Sequence, residues 1–446
     1  MWRFLMINKI LNKSILNYFY ILFFLTLLNA MFNSLASAYG IGYPFNTFLC
    51  IPQDLHADLI KFALSFGNIS DYDYSTWNEL YKNFLLHNPH GKIEALHSNN
   101  LAHFVAPPLS AAAYLLLAKI LTFINPSVLV FLFYLITFSL FFLLLGYFIK
   151  FKSKDFFRVY TVIMLSYPIL VVLTRGHLYS LTMGILSILF IFKIFNNEKY
   201  IYVLPLLLAI MINIRPNSIF LMLLFLVFGF KKSIKLSMIS ILLAGIIFVS
   251  FLNIVNYLYS DYTFLNFLKG VKIYFDIYVL GLAGHGYNNS LLGLFTIPVM
   301  SFCKGSAYQI FSFLNPVILI TGILLSITSC WLYYKKRIES YTFLFLIISI
   351  YVLCSTIFTT YYMVVLFVFL LIPMKKSEYK KTRHFKIITL TSTLLLAPKN
   401  YIFFQGFSLE IFINPLLMLS VMLYILYYSL TNKLTQKKTS VTKSTF

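Results

Sequence analysis

The chain has 446 residues, 60% of them hydrophobic and 11% charged, with a formal net charge of +22 at pH 7. Soluble domains carry roughly 25% charged residues, and no soluble core hides this much apolar surface, so the composition excludes a water-soluble fold and makes lipid part of the solvent. The cations lie between apolar runs and form no stripe interleaved with exposed aromatics, which argues against nucleic acid as a partner and assigns them to topology and anionic membrane lipids.

In chain order, the first apolar run, residues 15–38, is too long for a cleavable signal core and is followed by many more, so it reads as an uncleaved first span. Arg3, Lys9 and Lys13 precede it and place the N-terminus in the cytoplasm. The polar stretch that follows holds Asp54, Asp58, Asp71, Asp73, Glu79 and Glu94, six of the 13 acidic residues of the chain, and therefore lies outside. Later apolar runs end in basic clusters: 150–158, 193–199, 231–235, 335–337, 375–386 and the tail after Leu430. All of these belong on the cytoplasmic side. If the apolar segment Pro107 to Ile124 crossed, most of these clusters would flip outward, so it is expected to lie along the outer interface, with Pro107-Pro108 in its first turn.

This parity predicts an all-α, polytopic transmembrane helical bundle of about twelve spans: 15–38, 127–149, 159–174, 178–194, 200–213, 217–230, 235–258, 310–334, 341–359, 361–374, 386–397 and 410–431. Residues 1–446 form one integral membrane domain, with both termini cytoplasmic and large outer loops at about 39–126 and 259–309.

The candidate residues fall on the outer side. Asp54-Leu55-His56-Ala57-Asp58 puts two carboxylates one helical turn apart. Such a pair either shares a cation, hydroxyl or proton, raising one carboxyl into general-base range, or forms a solvated helix face. Arg175 and Arg215 each end a span and are followed by Gly176 and Pro216. Guanidinium groups there either snorkel or clamp a phosphate. The Gly-rich turn from Gly284 to Leu294 carries His285, Asn288, Asn289 and Ser290, types that cap a helix or bond sugar hydroxyls. Tyr361 and Tyr362 read as aromatic-belt residues. Cys50 and Cys303 fall on the same side, which leaves a disulfide open. No nucleotide-binding Gly loop, GxSxG or HExxH is present, and no cysteine spacing suits a metal.

In this order the features resemble the polyprenol-phosphate-dependent membrane glycosyltransferases of the GT-C superfamily, and within them glycosyltransferase family 87. The resemblance runs from Asp54-Leu55 with Gly67 thirteen residues on, through Phe104-Val105-Ala106-Pro107-Pro108-Leu109, Pro168 with Gly176-His177-Leu178-Tyr179, and Arg215-Pro216, to Asn288-Asn289-Ser290-Leu291-Leu292-Gly293-Leu294. His177 stands where the family has Gln, Tyr179 where it has Asn, Arg215 where it has Lys, and Asp58 where a Tyr is expected. The resemblance implies a GT-C type fold with outer-face juxtamembrane helices in the plasma (inner) membrane, a polyprenyl-phosphate sugar donor, a lipid or glycan acceptor and inverting hexosyl transfer. It implies Asp54 as general base with Asp58 in reserve, Arg215 and Arg175 on the donor phosphate, and His177, Asn288 and Ser290 lining the sugar pocket beside His56, His285 and Asn289. It requires no cofactor and no metal. The alternative from another class is a multi-pass transporter or lipid flippase, which places charges deep within spans, whereas the expected spans here are almost free of them.

Overall fold

A computed structural model describes residues 15–38, 59, 107–149, 151, 153–196, 201–258, 260, 262–280, 285, 288–375, 377–399, 403–404 and 407–431. The described chain is helical: α1 (Leu16–Ala38), α2 (Pro108–Leu121), α3 (Pro126–Phe148), α4 (Lys154–Met164), α5 (Tyr167–Arg175), α6 (Leu178–Asn196), α7 (Val203–Ile214), a 3₁₀ helix (Pro216–Phe228), α8 (Phe230–Leu258), α9 (Phe264–Tyr274), α10 (Leu291–Phe302), α11 (Ala307–Tyr334), α12 (Ser340–Leu353), a second long 3₁₀ helix (Thr360–Phe367) continuing into α13 (Val368–Lys375), α14 (Phe385–Leu396) and α15 (Glu410–Thr431). Between α14 and α15 two antiparallel strands, β1 (Phe403–Phe404) and β2 (Phe407–Ser408), make a small hairpin.

Among the described residues five helices are long and apolar enough to cross a membrane: Pro126–Phe148, Leu178–Phe195, Phe230–Leu258, Lys304–Tyr334 and Glu410–Thr431. A sixth crossing results if α4 and α5 are one span bent by 56°. The bend has a local cause. Pro168 brings no N–H to the first turn of α5, and the Ser166 hydroxyl instead closes the end of α4 by donating to the Ile163 carbonyl at 2.6 Å. The expected single span 159–174 is therefore two pieces. α3 is apolar around its whole circumference, as a lipid-facing helix must be. Its start is set by Pro126 in the first turn and by Asn125, whose side-chain oxygen accepts from the Ser127 amide at 2.9 Å.

At the centre, every residue of α12 from Tyr341 to Leu353 is buried. Its Tyr341 and Phe345 rings meet Phe369 in the equally buried run from Met363 to Ile372. The outer layer is α3, α8 and α11, which turn broad apolar faces away from the bundle, as at Leu242 and Phe131. α8 begins earlier than expected. Gly229 ends the 3₁₀ helix with φ +89°, and the Ser233 amide already bonds to the Gly229 carbonyl, so Lys231, Lys232 and Lys235 ride on the first turns of a helix.

The bundle has two chemically distinct ends. At one end Lys375 donates to the Tyr147 carbonyl at 2.6 Å, Arg337 donates to the Leu430 carbonyl at 3.1 Å, and the Arg383 amide donates to the Glu339 carboxylate at 3.2 Å. At the other, Arg215, His177, Asn288 and Glu410 converge on residues 356–362. Even the short elements run from one end to the other. α12 begins where Tyr341 stacks on Tyr379 and ends where Tyr351 meets Phe358. α14 runs the same way, from His384 beside Tyr428 to Lys399.

Helix α2 spans most of the expected interfacial segment. Ala111 and Tyr114 pack on Val255, at the end of α8, and on Tyr262. The Tyr179 hydroxyl, at the start of α6, donates to the Ser110 carbonyl at 2.7 Å. α2 thus lies against the polar end of the bundle.

Candidate functional site

The site is organised by the segment that turns from α12 into the second 3₁₀ helix. Asn288 forms an isolated antiparallel bridge with Thr359. Its side-chain oxygen accepts from the Phe358 amide at 2.8 Å and from the Ser290 amide at 3.1 Å, and its NH₂ donates to the Thr356 carbonyl at 3.1 Å. The Asn289 amide donates to the Phe358 carbonyl at 2.6 Å. Ser290 leads into α10, but its hydroxyl donates to the Thr356 carbonyl at 3.3 Å and makes no cap bond; the Asn288 side chain covers the Ser290 amide instead. Asn288, Asn289 and Ser290 are fully buried, and their polar atoms fasten the two segments together. Gly293 allows this approach, because a Cβ there would overlap the Asn288 carbonyl oxygen.

Arg215 ends α7. Pro216 disfavours a helical conformation at the residue before it, and Arg215 is extended, with φ −146° and ψ 104°. Its side chain turns into the bundle and is 9% exposed. One terminal nitrogen donates to the Ile357 carbonyl. The guanidinium carbon lies 3.8 Å from the centre of the Tyr362 ring and 4.8 Å from that of Phe358. Among the described residues no carboxylate forms an ion pair with it, and its buried Nε has no hydrogen-bond partner. A guanidinium held in this way keeps donors for an anion.

His177 follows Gly176, which ends α5 in the left-handed conformation at φ 66° and ψ 33°. The His177 Nδ1 accepts from the Ser180 amide at 3.1 Å, beside the Ser180 hydroxyl at 2.8 Å. This bond fixes the neutral tautomer: Nδ1 is an acceptor, so Nε2 carries the proton and is a donor. The ring lies 6.1 Å from that of Tyr362, so His177 and Arg215 flank the same tyrosine. Arg175 is half-buried in the last turn of α5, next to this corner, where a cation also suits the helix dipole.

On the other side of the segment stands a buried acid. Glu410, 2% exposed, opens α15. Its Oε1 accepts from the Thr360 hydroxyl and from the Asn414 NH₂, each at 3.0 Å. Asn414 also donates to the Asn289 side-chain oxygen at 2.7 Å, and Asn289 donates to the Thr360 hydroxyl at 3.1 Å, closing a ring of polar side chains. Lys399 is the neighbouring cation. Burial pushes its pKa down to about 8 against the opposing pull of Glu410, and it donates to the Ala397 carbonyl at 2.7 Å.

His285 is also buried at this end. Its Nδ1 lies 2.6 Å from the Thr296 hydroxyl, its Nε2 lies 2.7 Å from the Val279 carbonyl, and its ring meets Phe311 edge-on. Burial pushes its pKa down to about 4. Both nitrogens are engaged within the fold.

The structure therefore brings together Arg215, His177, Asn288, Asn289 and Ser290 around residues 356–362. Asp54, His56 and Asp58, and Cys50 of the possible disulfide, lie outside the described residues. Tyr362, expected as a belt residue, is a wall of the arginine site. Glu410, Asn414 and Lys399 are not among the residues that the sequence singles out. The available signal was a lone Glu opening the last apolar run, with Asn one helical turn on. Comparison with protein-family models, with curated proteins and with solved structures finds no match for this chain.

Proposed function

We propose that the protein is a membrane glycosyltransferase of the GT-C type that moves a hexose from a polyprenyl-phosphate donor to a lipid or glycan acceptor at the outer face of the plasma membrane. Arg215 is the observation that carries the reading. A buried guanidinium stacked on two rings, with no carboxylate paired to it among the described residues, is suited to an anionic group delivered from the membrane. His177 supplies a second, neutral donor beside the same ring. In this scheme the acceptor oxygen attacks the anomeric carbon and Asp54 takes its proton. The bond from that carbon to the phosphate oxygen breaks, and the polyprenyl phosphate leaves with the electron pair. One displacement inverts the configuration. Arg215, with Arg175 beside His177, stabilises the charge that grows on the leaving group.

The count of twelve crossings takes the shorter apolar elements as spans as well. The 3₁₀ helix Pro216–Phe228 has 13 residues, and a rise of about 2.0 Å per residue carries it about 26 Å, close to the roughly 30 Å hydrocarbon core. In this reading α2 is the outer interfacial helix, both termini are cytoplasmic and the polar end faces outward.

The test is transfer of label from radiolabelled polyprenyl-phosphate hexoses in membranes containing the protein. Label should appear in a lipid or glycan product, and Asp54→Asn should lower the rate about 10²-fold or more while expression holds. Absence of transfer from every such donor, together with no donor binding, removes the reading.

A transporter or lipid flippase is the second reading. It is favoured by the buried Glu410 with Lys399 and by the bend between α4 and α5, since transporters place ionisable groups and broken helices at their binding sites. Movement of intact labelled polyprenyl-phosphate sugar across vesicles without cleavage would select it.

A further inference from the structure

At the basic end two arginines are fixed to the same helix terminus. Arg337 donates one N–H to the Leu430 carbonyl at 3.1 Å, and its guanidinium lies 5.0 Å from the centre of the Trp331 ring. The Arg383 guanidinium lies 4.0 Å from the centre of the Tyr428 ring. Tyr428 and Leu430 are both in the last turn of α15, so the two guanidinium groups flank one helix end. A guanidinium carries five N–H donors. Among the described residues the Arg337 side chain makes one hydrogen bond and the Arg383 side chain none. Stacking fixes their planes and leaves their donors available.

The turn after α11 adds two ammonium groups. Lys335 and Lys336 are exposed. Lys336 sits at φ 54°, the left-handed conformation, while the Arg337 amide closes back on the Leu332 carbonyl at 2.8 Å. Glycine is the usual residue at such a helix end, and a side chain there costs about 1 kcal/mol or more. Here a lysine occupies it, so three consecutive cations leave the helix together. Among the described residues Glu339 faces them and accepts the Arg383 amide. Lys335, Lys336, Arg337 and Arg383 outnumber it, and the corner is positive.

The surroundings are those of a headgroup layer. Trp331, Tyr334 and Tyr427 are exposed at the same level, and such amphipathic rings collect where bilayer meets water. Along α11 the exposed Ile320, Leu324 and Ile327, and along α15 the exposed Leu423 and Tyr424, continue an apolar surface away from the cations. α11 and α15 come into contact.

We propose that this corner is a binding site for one anionic phospholipid, its phosphate held by Arg337 and Arg383 and its acyl chains lying along the seam between α11 and α15. Charge and shape both select the occupant: the guanidinium pair reads the phosphate, and the apolar seam requires chains attached to it. The site is at the opposite end of the bundle from Arg215 and does not depend on the proposed activity.

Delipidated full-length protein titrated with phosphatidylglycerol or phosphatidylcholine, and observed by native mass spectrometry, tests this. The first phosphatidylglycerol should bind about tenfold or more tighter than phosphatidylcholine. The double variant Arg337→Gln, Arg383→Gln should lose that preference, while Lys231→Gln, Lys232→Gln, which removes an equal charge elsewhere on the basic face, should keep it. Millimolar inorganic phosphate should not displace the lipid. Equal binding of the two lipids, an unchanged preference in the arginine variant, or full displacement by phosphate overturns the site. A photoactivatable phosphatidylglycerol gives a second readout on the unaltered protein. Crosslinks should concentrate in 320–337 and 420–431, and crosslinks confined to other helices overturn the assignment even if the double variant does not fold.

Discussion

The guanidinium of Arg215 is stacked on Tyr362, its central carbon 3.8 Å from the centre of the ring, and the ring of His177 lies 6.1 Å beyond on the same tyrosine. One aromatic residue thus sets the positions of a cation and of a neutral donor that the sequence separates by 38 positions. Stacking of this kind is worth about 0.5–2 kcal/mol, less than a buried charge costs to desolvate, so packing alone does not account for an arginine here.

Arg215→Ala should therefore weaken binding of farnesyl phosphate, used as a soluble donor mimic, by about tenfold or more. Arg215→Lys should fall between Ala and wild type, because it keeps the charge and loses the planar contact with Tyr362 and Phe358. Tyr362→Leu should also weaken the probe while leaving the charge in place. Calorimetry on equally folded detergent-purified proteins checks the series. Equal affinities for wild type and Arg215→Ala would leave Arg215 as a helix-end anchor only.

Glu410 accepts from Thr360 and Asn414 and stands against Lys399. Glu410→Ala strands those buried donors, and leaving a buried polar group unsatisfied costs about 1–3 kcal/mol. Glu410→Gln keeps one carbonyl acceptor and should cost clearly less. Thermal unfolding in detergent ranks them. If Ala and Gln variants melt together with wild type, the polar ring carries no stability.

Much of the helix inventory was legible because apolar runs between basic clusters follow directly from the bilayer's cost for exposed polar backbone and charge. The separation of a basic from a polar end was legible for the same reason; His384 lies at the first and His285 and His177 at the second. What periodicity could not reveal was the packing partner of each polar residue. Asn288 and Ser290 are suited alike to capping, to sugars and to a backbone clasp; only the approach of residues 356–360 shows that their donors and acceptors are engaged. Tyr362 looks like any tyrosine near a helix end until Arg215 is brought to it. Glu410 sits at the edge of a hydrophobic run, where a single acid is ordinarily solvated.

Gly293 gives a steric test of the clasp. A methyl group there meets the Asn288 carbonyl oxygen on one side and lies 3.3 Å from the Ile411 carbonyl oxygen on the other. Both are backbone atoms, so neither moves without shifting α10 or the start of α15. Gly293→Ala should therefore destabilise by at least 1–3 kcal/mol, as overpacking does, and lower the folded yield. Gly245→Ala, at a helical glycine with open space around it, is the control and should be neutral or slightly stabilising.

The twelve-crossing topology makes a direct prediction. Reporter fusions after Lys152 and Lys376 should read cytoplasmic, and one near His90 should read outside. If the Lys152 fusion reads outside, α2 is a true span and the order of sides changes from that point on.

His285 sets a pH dependence of stability. It belongs to the 259–309 segment, outside the spanning helices, and burial holds its pKa at about 4 in the folded protein against an ordinary 6.5. Between those values the unfolded chain binds a proton that the folded chain does not, so stability rises with pH in this window. The contribution is intact above about pH 6.5, is lost as pH falls toward 4, and amounts to on the order of 3 kcal/mol, with a slope of up to about 1.4 kcal/mol per pH unit. The geometry gives the reason. Nε2 donates to the Val279 carbonyl and the ring is fully buried, so a second proton brings a charge that water cannot solvate. His384 has a pKa of about 4 for a related reason, burial reinforced by the adjacent Arg383, and contributes to the same slope from the other end of the bundle. Unfolding followed at pH 7, 6 and 5 should show the wild type losing stability stepwise. His285→Gln, which keeps polar groups in the cavity and cannot take up the proton, should start less stable at pH 7 and lose less on acidification. His384→Gln separates the second contribution. A wild-type slope that survives unchanged in His285→Gln would mean that protonation of this imidazole does not set the pH dependence.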